Sequence, residues 1–379
     1  MRTIRHSSTR SRRIVNQSFE LYGSSNSGHF RWSLLFFDHT YKLTTLFTIF
    51  ALDFFLPRLI FIRNAIAMKK TNYAVSIDKL RVCLNASTEL YSNLKEYYTR
   101  RTDNGFRILD EDNFTLTFIE EDEQMMRATL DVRDVEGYYR LGTFTFHNSA
   151  KYEGKAFFAY ENSALYRIFT RKYNGEPINH ICDLMYVCEL YGMTFNNITE
   201  LELAFDSDYN YIGKVRRMIK DIDRYDLILN GRRVKNDETL DGYGEYYSRS
   251  RTKLAKLPTL YFSQAKDTDM KMRIYDKAQE LNESSPHKAE RLKEWLGWSD
   301  INKLFRVEVV MHNTNVREFI GRYGERLMGD RGEHCNILNL LNSEEFRLAM
   351  FLDSADRMIY FRDRQTGEHI SLVEVATGI

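Results

Sequence analysis

At 379 residues the chain is long enough for one large or two modest domains, and 43% hydrophobic with 28% charged residues marks it as globular, not disordered. Its four cysteines (Cys83, Cys182, Cys188, Cys335) make no CxxC pair and its nine histidines no paired ligand motif, which argues against a Cys- or His-held metal and for reduced thiols in a cytoplasmic protein. The net charge of +1 is uneven: residues 1–70 hold eleven Lys and Arg against three Asp and Glu, which leaves 43 against 50 for the rest, so any nucleic-acid binding by the body rests on local patches.

Residues 1–31 are rich in Ser and Arg without an apolar period and read as disordered. Trp32–Ile62 is apolar, but Lys42, Asp53, Pro57 and Arg58 interrupt it. Its longest uncharged run, Leu43–Leu52, falls well short of the roughly 20 residues a membrane span needs. Two readings follow: an upstream leader with the native start at Met68, or a membrane tether.

Ala74–Leu84 reads as a strand with Val75, Ile77, Leu80, Val82 and Leu84 apolar, and Thr88–Thr99 as a helix. Short aromatic runs from Phe106 to Tyr160, separated by polar turns, predict a β-meander. Ile178–Met193 reads as a helix. The strand Ile198–Asp208 puts Leu201, Leu203 and Phe205 on one face and Glu202, Ala204, Asp206 and Asp208 on the other. Carboxylates crowded on one face repel unless a cation sits between them, and oxygen-only ligands suit Mg²⁺ or Mn²⁺. The same pattern fits a solvent-exposed edge strand.

Tyr211–Arg224 is an amphipathic helix opening the densest basic region of the body: Lys214, Arg217, Arg232, Arg233 and Arg251, with Tyr243, Tyr246 and Tyr247 interleaved. Cations track phosphates and aromatics stack on bases, so this is a candidate DNA surface; a solvated charged face reads the same way. Leu260–Lys277 then predicts two strands about a polar turn at residues 266–269. Lys271, Arg273, Tyr275 and Lys277 point one way, and Met270, Met272 and Ile274 the other. A phenol is a weak nucleophile near its ordinary pKa of about 10, and flanking cations favour the phenolate and offset the charge of a phosphodiester. The alternative is an ordinary amphipathic strand with a half-buried tyrosine. His287–Trp298 is a helix, and Leu304–His312 is an alternating strand with Arg306, Glu308 and His312 on one face. From Asn315 onward the pattern is helical.

If the strands at 201, 271 and 305 share one antiparallel sheet, their charged faces coincide. Glu202, Asp206 and Glu308 then form a carboxylate metal site beside Tyr275, with Arg273, Lys277 and Arg306 placed to stabilise a charged transition state. The expected architecture is α+β: a mainly antiparallel sheet with helices on one face over residues 71–312, and a C-terminal helical subdomain over 313–379.

The ordered blocks Ile-Asp-x-Leu-Arg (77–81), Leu-Glu-Leu-Ala-Phe-Asp (201–206), Leu-Tyr-Phe-Ser (260–263), Arg-Ile-Tyr-Asp-Lys (273–277) and Phe-Arg-Val-Glu (305–308) resemble the trans-acting replication initiation factors of rolling-circle plasmids. Related phage initiators and relaxases of integrative conjugative elements share that pattern. The resemblance covers residues 74–312, and its most specific part is the Arg-Ile-Tyr-Asp-Lys block followed by Arg-x-Glu. It implies a nicking and strand-joining domain, with Tyr275 as the nucleophile that holds a 5′-phosphate and with Asp206 and Glu308 as ligands of a divalent metal. It further implies duplex origin DNA, the nicked single strand and a host helicase as partners; relatives commonly act as dimers. The N-terminal leader and the acidic balance of the body depart from the family's pattern. A DNA-binding regulator without chemistry, on the same scaffold, is the competing reading.

Overall fold

A computed structural model describes residues 72–99, 107–111, 114–121, 125–134, 137–170, 172–173, 176–177, 183–235, 251–263, 270–284, 286–328 and 335–377. The leader, the turn at 266–269, Tyr243, Tyr246, Tyr247 and the start of the helix expected at Ile178 lie outside these residues.

The strands are β1 (Tyr73–Asn85), β2 (Arg107–Glu111), β3 (Phe114–Glu121), β4 (Met125–Asp134), β5 (Gly137–His147), β6 (Lys155–Tyr160), β7 (Lys172–Tyr173), β8 (Glu176–Pro177), β9 (Thr194–Ser207), β10 (Tyr225–Leu229), β11 (Arg232–Arg233), β12 (Leu260–Ser263), β13 (Lys271–Asp276), β14 (Phe305–His312), β15 (Ile359–Asp363) and β16 (His369–Ser371). Ten of them form one sheet in the order β12-β13-β14-β9-β1-β6-β5-β4-β3-β2, with each neighbouring pair antiparallel. The meander expected from the aromatic runs is its β2–β6 half. A second sheet runs β11-β10-β15-β16. In it, Asn230 and Gly231 join β10 to β11 with φ of 50° and 74°, the left-handed pair that a two-residue Asn-Gly hairpin requires.

The helices are α1 (Leu90–Thr99), α2 (Asn162–Thr170), α3 (Asp183–Leu190), α4 (Ile212–Lys220), α5 (Arg251–Leu254), α6 (Lys277–Ser284), α7 (Pro286–Leu296), α8 (Asn313–Met328), α9 (Cys335–Leu340), α10 (Glu344–Met358) and α11 (Leu372–Thr377). The fold is therefore α+β around a large antiparallel sheet. Helices cover both faces of the sheet, not one. On one face α10 lays Phe351 against Phe205 of β9, with ring centroids 5.4 Å apart, and Leu201, Leu203, Val307 and Val309 are fully buried there. On the opposite face α2, α6 and α7 build a smaller apolar cluster of Tyr166, Ala278, Leu281, Leu292, Ile301 and Leu304.

The C-terminal stretch is not a subdomain of its own. Phe346, Phe351 and Phe361 belong to the same core as the central strands, and the described residues pack as one unit. Ile359–Asp363, expected as the end of a helix, is instead a strand paired with β10. Its Ile-Tyr-Phe run is β-branched and aromatic, and tertiary pairing decides such a sequence. Among the described residues no helix is long and apolar enough to cross a membrane.

Candidate active site

The register of three strands assembles the site. Tyr275, Arg306 and Asp206 lie in one cross-strand row of β13, β14 and β9; Arg273, Glu308 and Ala204 form the next row, and Lys271, Val310 and Glu202 the third. Side chains alternate along each strand, so all of these share a face, as the sequence pattern requires. On the far side of β9, β1 continues the second row with Ser76. Ala204 and Ser76 are small, which leaves room on that face for the longer acids beside them.

The fourth strand supplies a further carboxylate, at the point where the apolar positions of β1 change parity. Between Ile77 and Lys79, β1 slips register against β9, and Asp78 is the extra residue of this bulge. Asp78 follows Ser76 by two residues and so keeps to the charged face, and the bulge then returns Leu80, paired with Leu201, to the core side. Oxygens of Asp78, Glu202 and Glu308 all lie within 4.8 Å of one another. The start of α2 holds the bulge in place. Asn162 donates to the Asp78 carbonyl at 2.5 Å, and Tyr166, one helical turn on, donates its hydroxyl to Asp78 Oδ1 at 2.7 Å. The Tyr166 ring stacks on Trp295 of α7 at 4.8 Å.

Asp206 has a different place from the metal-ligand role expected for it. It is fully buried, and both its oxygens accept from Arg306, Nε to Oδ1 and Nη2 to Oδ2, each at 2.7 Å. This two-pronged pair fixes the guanidinium. Arg306, itself 1% exposed, then donates to the Tyr166 hydroxyl at 2.8 Å, to Asp78 Oδ1 at 3.2 Å and to Glu308 Oε1 at 3.5 Å. It reads as the buried post that positions the acids, fastened by Asp206. The acidic trio is completed by Asp78, not Asp206.

The Tyr275 hydroxyl donates to Glu308 Oε1 at 2.7 Å, and Lys277 Nζ lies 5.5 Å over its ring while pairing with Glu280 at 2.8 Å. Sequence reasoning has the cations favour the phenolate; the structure differs. Burial pushes the phenol well above its ordinary pKa, Arg306 opposes this, and the Glu308 carboxylate that accepts its proton adds to it. Tyr275 is thus a neutral phenol with a proton acceptor already in place. Burial, followed by the neighbouring Glu308 and Asp78, pushes Glu202 up to about 7 against the partial relief of Arg273. Burial would raise Asp78 also, but Arg306, Tyr166, Asn162 and Lys277 hold it below the usual carboxylate range.

These observations test whether a divalent metal fits. All three donors are hard oxygens, which suits Mg²⁺ or Mn²⁺. Glu308 Oε2 is buried and accepts no aligned hydrogen bond, and burial together with the neighbouring Glu308 and Asp78 holds Glu202 up at about 7. The convergent oxygens and the orphaned Glu308 Oε2 fit a divalent metal held by Asp78, Glu202 and Glu308.

The expected DNA surface divides. Arg217 and Arg232 are exposed on α4 and on the β10–β11 hairpin, and Lys214 is half-buried on α4. Arg233 is exposed and pairs with Asp226 at 2.9 Å. Arg251 does not face solvent. It is 2% exposed and donates to the carbonyls of Ile219, Met218 and Tyr225, tying the end of α4 to β10. Its charge satisfies backbone acceptors at a helix C-terminus, where a cation is favoured.

Sequence reasoning missed Asp78 and Tyr166. A signal for Asp78 was present: the apolar positions of β1 change parity between Ile77 and Leu80, a step of three where a regular strand steps by two. Nothing in the local pattern of α2 distinguishes Tyr166 from a core aromatic. No family model matches this chain, and no curated protein does.

Proposed function

We propose that this protein is a metal-dependent DNA nicking and strand-joining enzyme of the kind that initiates rolling-circle replication, with Tyr275 as nucleophile and duplex origin DNA as substrate. The observation that carries this reading is the 2.7 Å hydrogen bond from the Tyr275 phenol to Glu308, an acid of the three-carboxylate cluster. As the phenol oxygen bonds to phosphorus, its proton passes to Glu308, and the 3′-oxygen leaves with the bonding electrons and takes a proton from solvent, so the 5′-phosphate stays on the tyrosine. Strand joining is the reverse: the 3′-hydroxyl gives its proton to solvent as it attacks the phosphotyrosine, and Glu308 returns its proton to the departing phenol oxygen. A bound Mg²⁺ or Mn²⁺ would supply polarisation of the scissile phosphate. Arg306 and Asp206 keep the acids in position, and Lys277 adds positive charge beside the phenol. Arg217 and Arg232 are the exposed cations for the DNA backbone.

The test is a supercoiled plasmid carrying the DNA that flanks the gene, incubated with Mn²⁺ and resolved for covalent protein–DNA adduct. Wild type forms the adduct, and Tyr275→Phe does not. An adduct with the Phe variant removes Tyr275 from the role and moves it to Tyr261, which lies opposite Arg273 on β12 and is 39% exposed.

A second reading is a DNA-binding regulator without chemistry. One observation favours it: Tyr275 is only 9% exposed and its phenol is held protonated. That reading expects a salt-dependent shift of duplex DNA with no nicking at any Mg²⁺ or Mn²⁺ concentration.

A further inference from the structure

Two arginines reach the acidic trio, and they do so in different ways. Arg306 approaches from the buried side, is 1% exposed in its side chain, and is locked by the fork it makes with Asp206. Arg273 has a side chain 42% exposed. It uses a single nitrogen, Nη2, to touch Glu202 Oε1 at 2.7 Å and Glu308 Oε2 at 2.5 Å. An arginine that forms a strong pair normally presents two parallel N–H groups to one carboxylate. Arg273 instead acts as a point cation shared by two acids, which is the part a metal ion plays. Its contact with Glu308 Oε2 is Coulombic, and that buried oxygen receives no aligned hydrogen bond. Among the described residues no carboxylate grips Arg273 in a fork as Asp206 grips Arg306, and on its other side lies β12, at the end of the sheet, with Tyr261 exposed opposite it.

We propose that Arg273 is a displaceable counter-ion: it and a divalent metal compete for Glu202 and Glu308, and metal binding frees its guanidinium for a DNA phosphate. The inference rests on the metal reading given under Proposed function and adds to it an order of events. Without metal, Arg273 neutralises two of the three acids and keeps the site closed. With metal bound, those acids no longer need it, and like charges at contact distance drive the guanidinium outward to where an anion can meet it.

The competition makes a prediction opposite to that for an ordinary site residue. Mn²⁺ binding to the full chain is measured by calorimetry and by the loss of free-Mn²⁺ spin-resonance signal. Arg273→Gln removes the competing charge and is expected to bind Mn²⁺ about tenfold more tightly than wild type, since a unit charge at contact in a half-exposed site is worth at least that factor. Arg273→Lys keeps the charge without the reach of the guanidinium and falls between the two. Glu202→Gln weakens binding in both backgrounds. Mn²⁺ binding that Arg273→Gln leaves unchanged or weakens overturns the displacement while the metal site stands. No Mn²⁺ binding in either protein overturns the displacement together with the metal reading beneath it. In a Tyr275→Phe background, Mn²⁺ is expected to raise the affinity for a single-stranded oligonucleotide from the flanking DNA several-fold, and Arg273→Gln to abolish that gain. An equal gain with Gln at residue 273 overturns the release of the guanidinium to phosphate.

Discussion

Glu202 is 7% exposed and shares its space with two other acids, so its proton is worth more in the folded chain than outside it. Its pKa rises from the ordinary 4.5 to about 7, with burial as the leading cause and Glu308 and Asp78 next. An acid raised in this way binds a proton in the folded state, between those two pH values, that the unfolded chain has already released. Folding stability therefore falls as pH climbs from about 4.5 to about 7, by on the order of 3 kcal/mol from this group. The stabilisation is complete below the lower value and lost above the upper one. Urea unfolding at about pH 5 and about pH 8 measures it. Glu202→Gln, neutral at both, is expected to show a pH dependence smaller by that amount and a higher stability at the alkaline point. Equal slopes for the two proteins would mean that Glu202 is ionised throughout. Arg273 relieves only part of this repulsion.

At the scale of the element, strand alternation was legible and its interruption was not. The apolar and charged faces of β9, β13 and β14 followed from a period of two, and that period brought Glu202, Glu308, Arg273, Arg306 and Tyr275 together with no knowledge of the topology. Assigning Asp206 to a metal used the same period and went astray, because facing the site does not say which neighbour a carboxylate meets. Register decides that: Asp206 lies directly opposite Arg306, whereas Glu308 lies opposite Ala204 and Arg273. Asp78 sits where the two halves of β1 disagree: Val75 and Ile77 place it on the charged face, Leu80, Val82 and Leu84 on the core side, and the bulge that reconciles them is a matter of register. The two aspartates separate by experiment. Asp206→Asn leaves the buried Arg306 without its full counter-charge and is expected to lower stability by about 3–5 kcal/mol in denaturant unfolding, the range for breaking one partner of a buried pair. Asp78→Asn keeps a side chain able to accept from Tyr166 and is expected to retain most of the stability while losing Mn²⁺ affinity at least tenfold. The reverse outcome, a stable Asp206→Asn protein with impaired metal binding, would restore Asp206 as the ligand.

For the whole molecule, the division of the chain at residue 312 followed from composition: alternating strands before it, helical periodicity after it. The periodicity is real, since α8 and α10 do form, but helical period does not say what a helix packs against. Here α10 closes the back of the half of the sheet that carries the acidic cluster. Phe351 stacks on Phe205, next in sequence to Asp206, and Arg347 donates to the Val75 carbonyl of β1 at 2.7 Å, three residues before Asp78. The carbonyls of Leu341 and Asn342 accept from the same guanidinium, each at 2.8 Å. β6 pairs with β1 over Arg81–Asn85, so this arginine serves a stretch of β1 that no strand among the described residues pairs on that side. β15 completes the second sheet by pairing with β10. A chain ending after His312 would expose Leu201, Leu203, Phe205, Val307 and Val309, buried side chains worth roughly 1.5–3 kcal/mol each, against a typical total stability of about 5–15 kcal/mol. The truncated protein is therefore expected to show no cooperative thermal transition by circular dichroism and to be cut rapidly by protease, whereas the full chain shows a transition and resists cutting. A truncated protein that melts cooperatively and still binds Mn²⁺ would show that the acidic cluster stands on the strands alone and that the C-terminal helices are a separable cover.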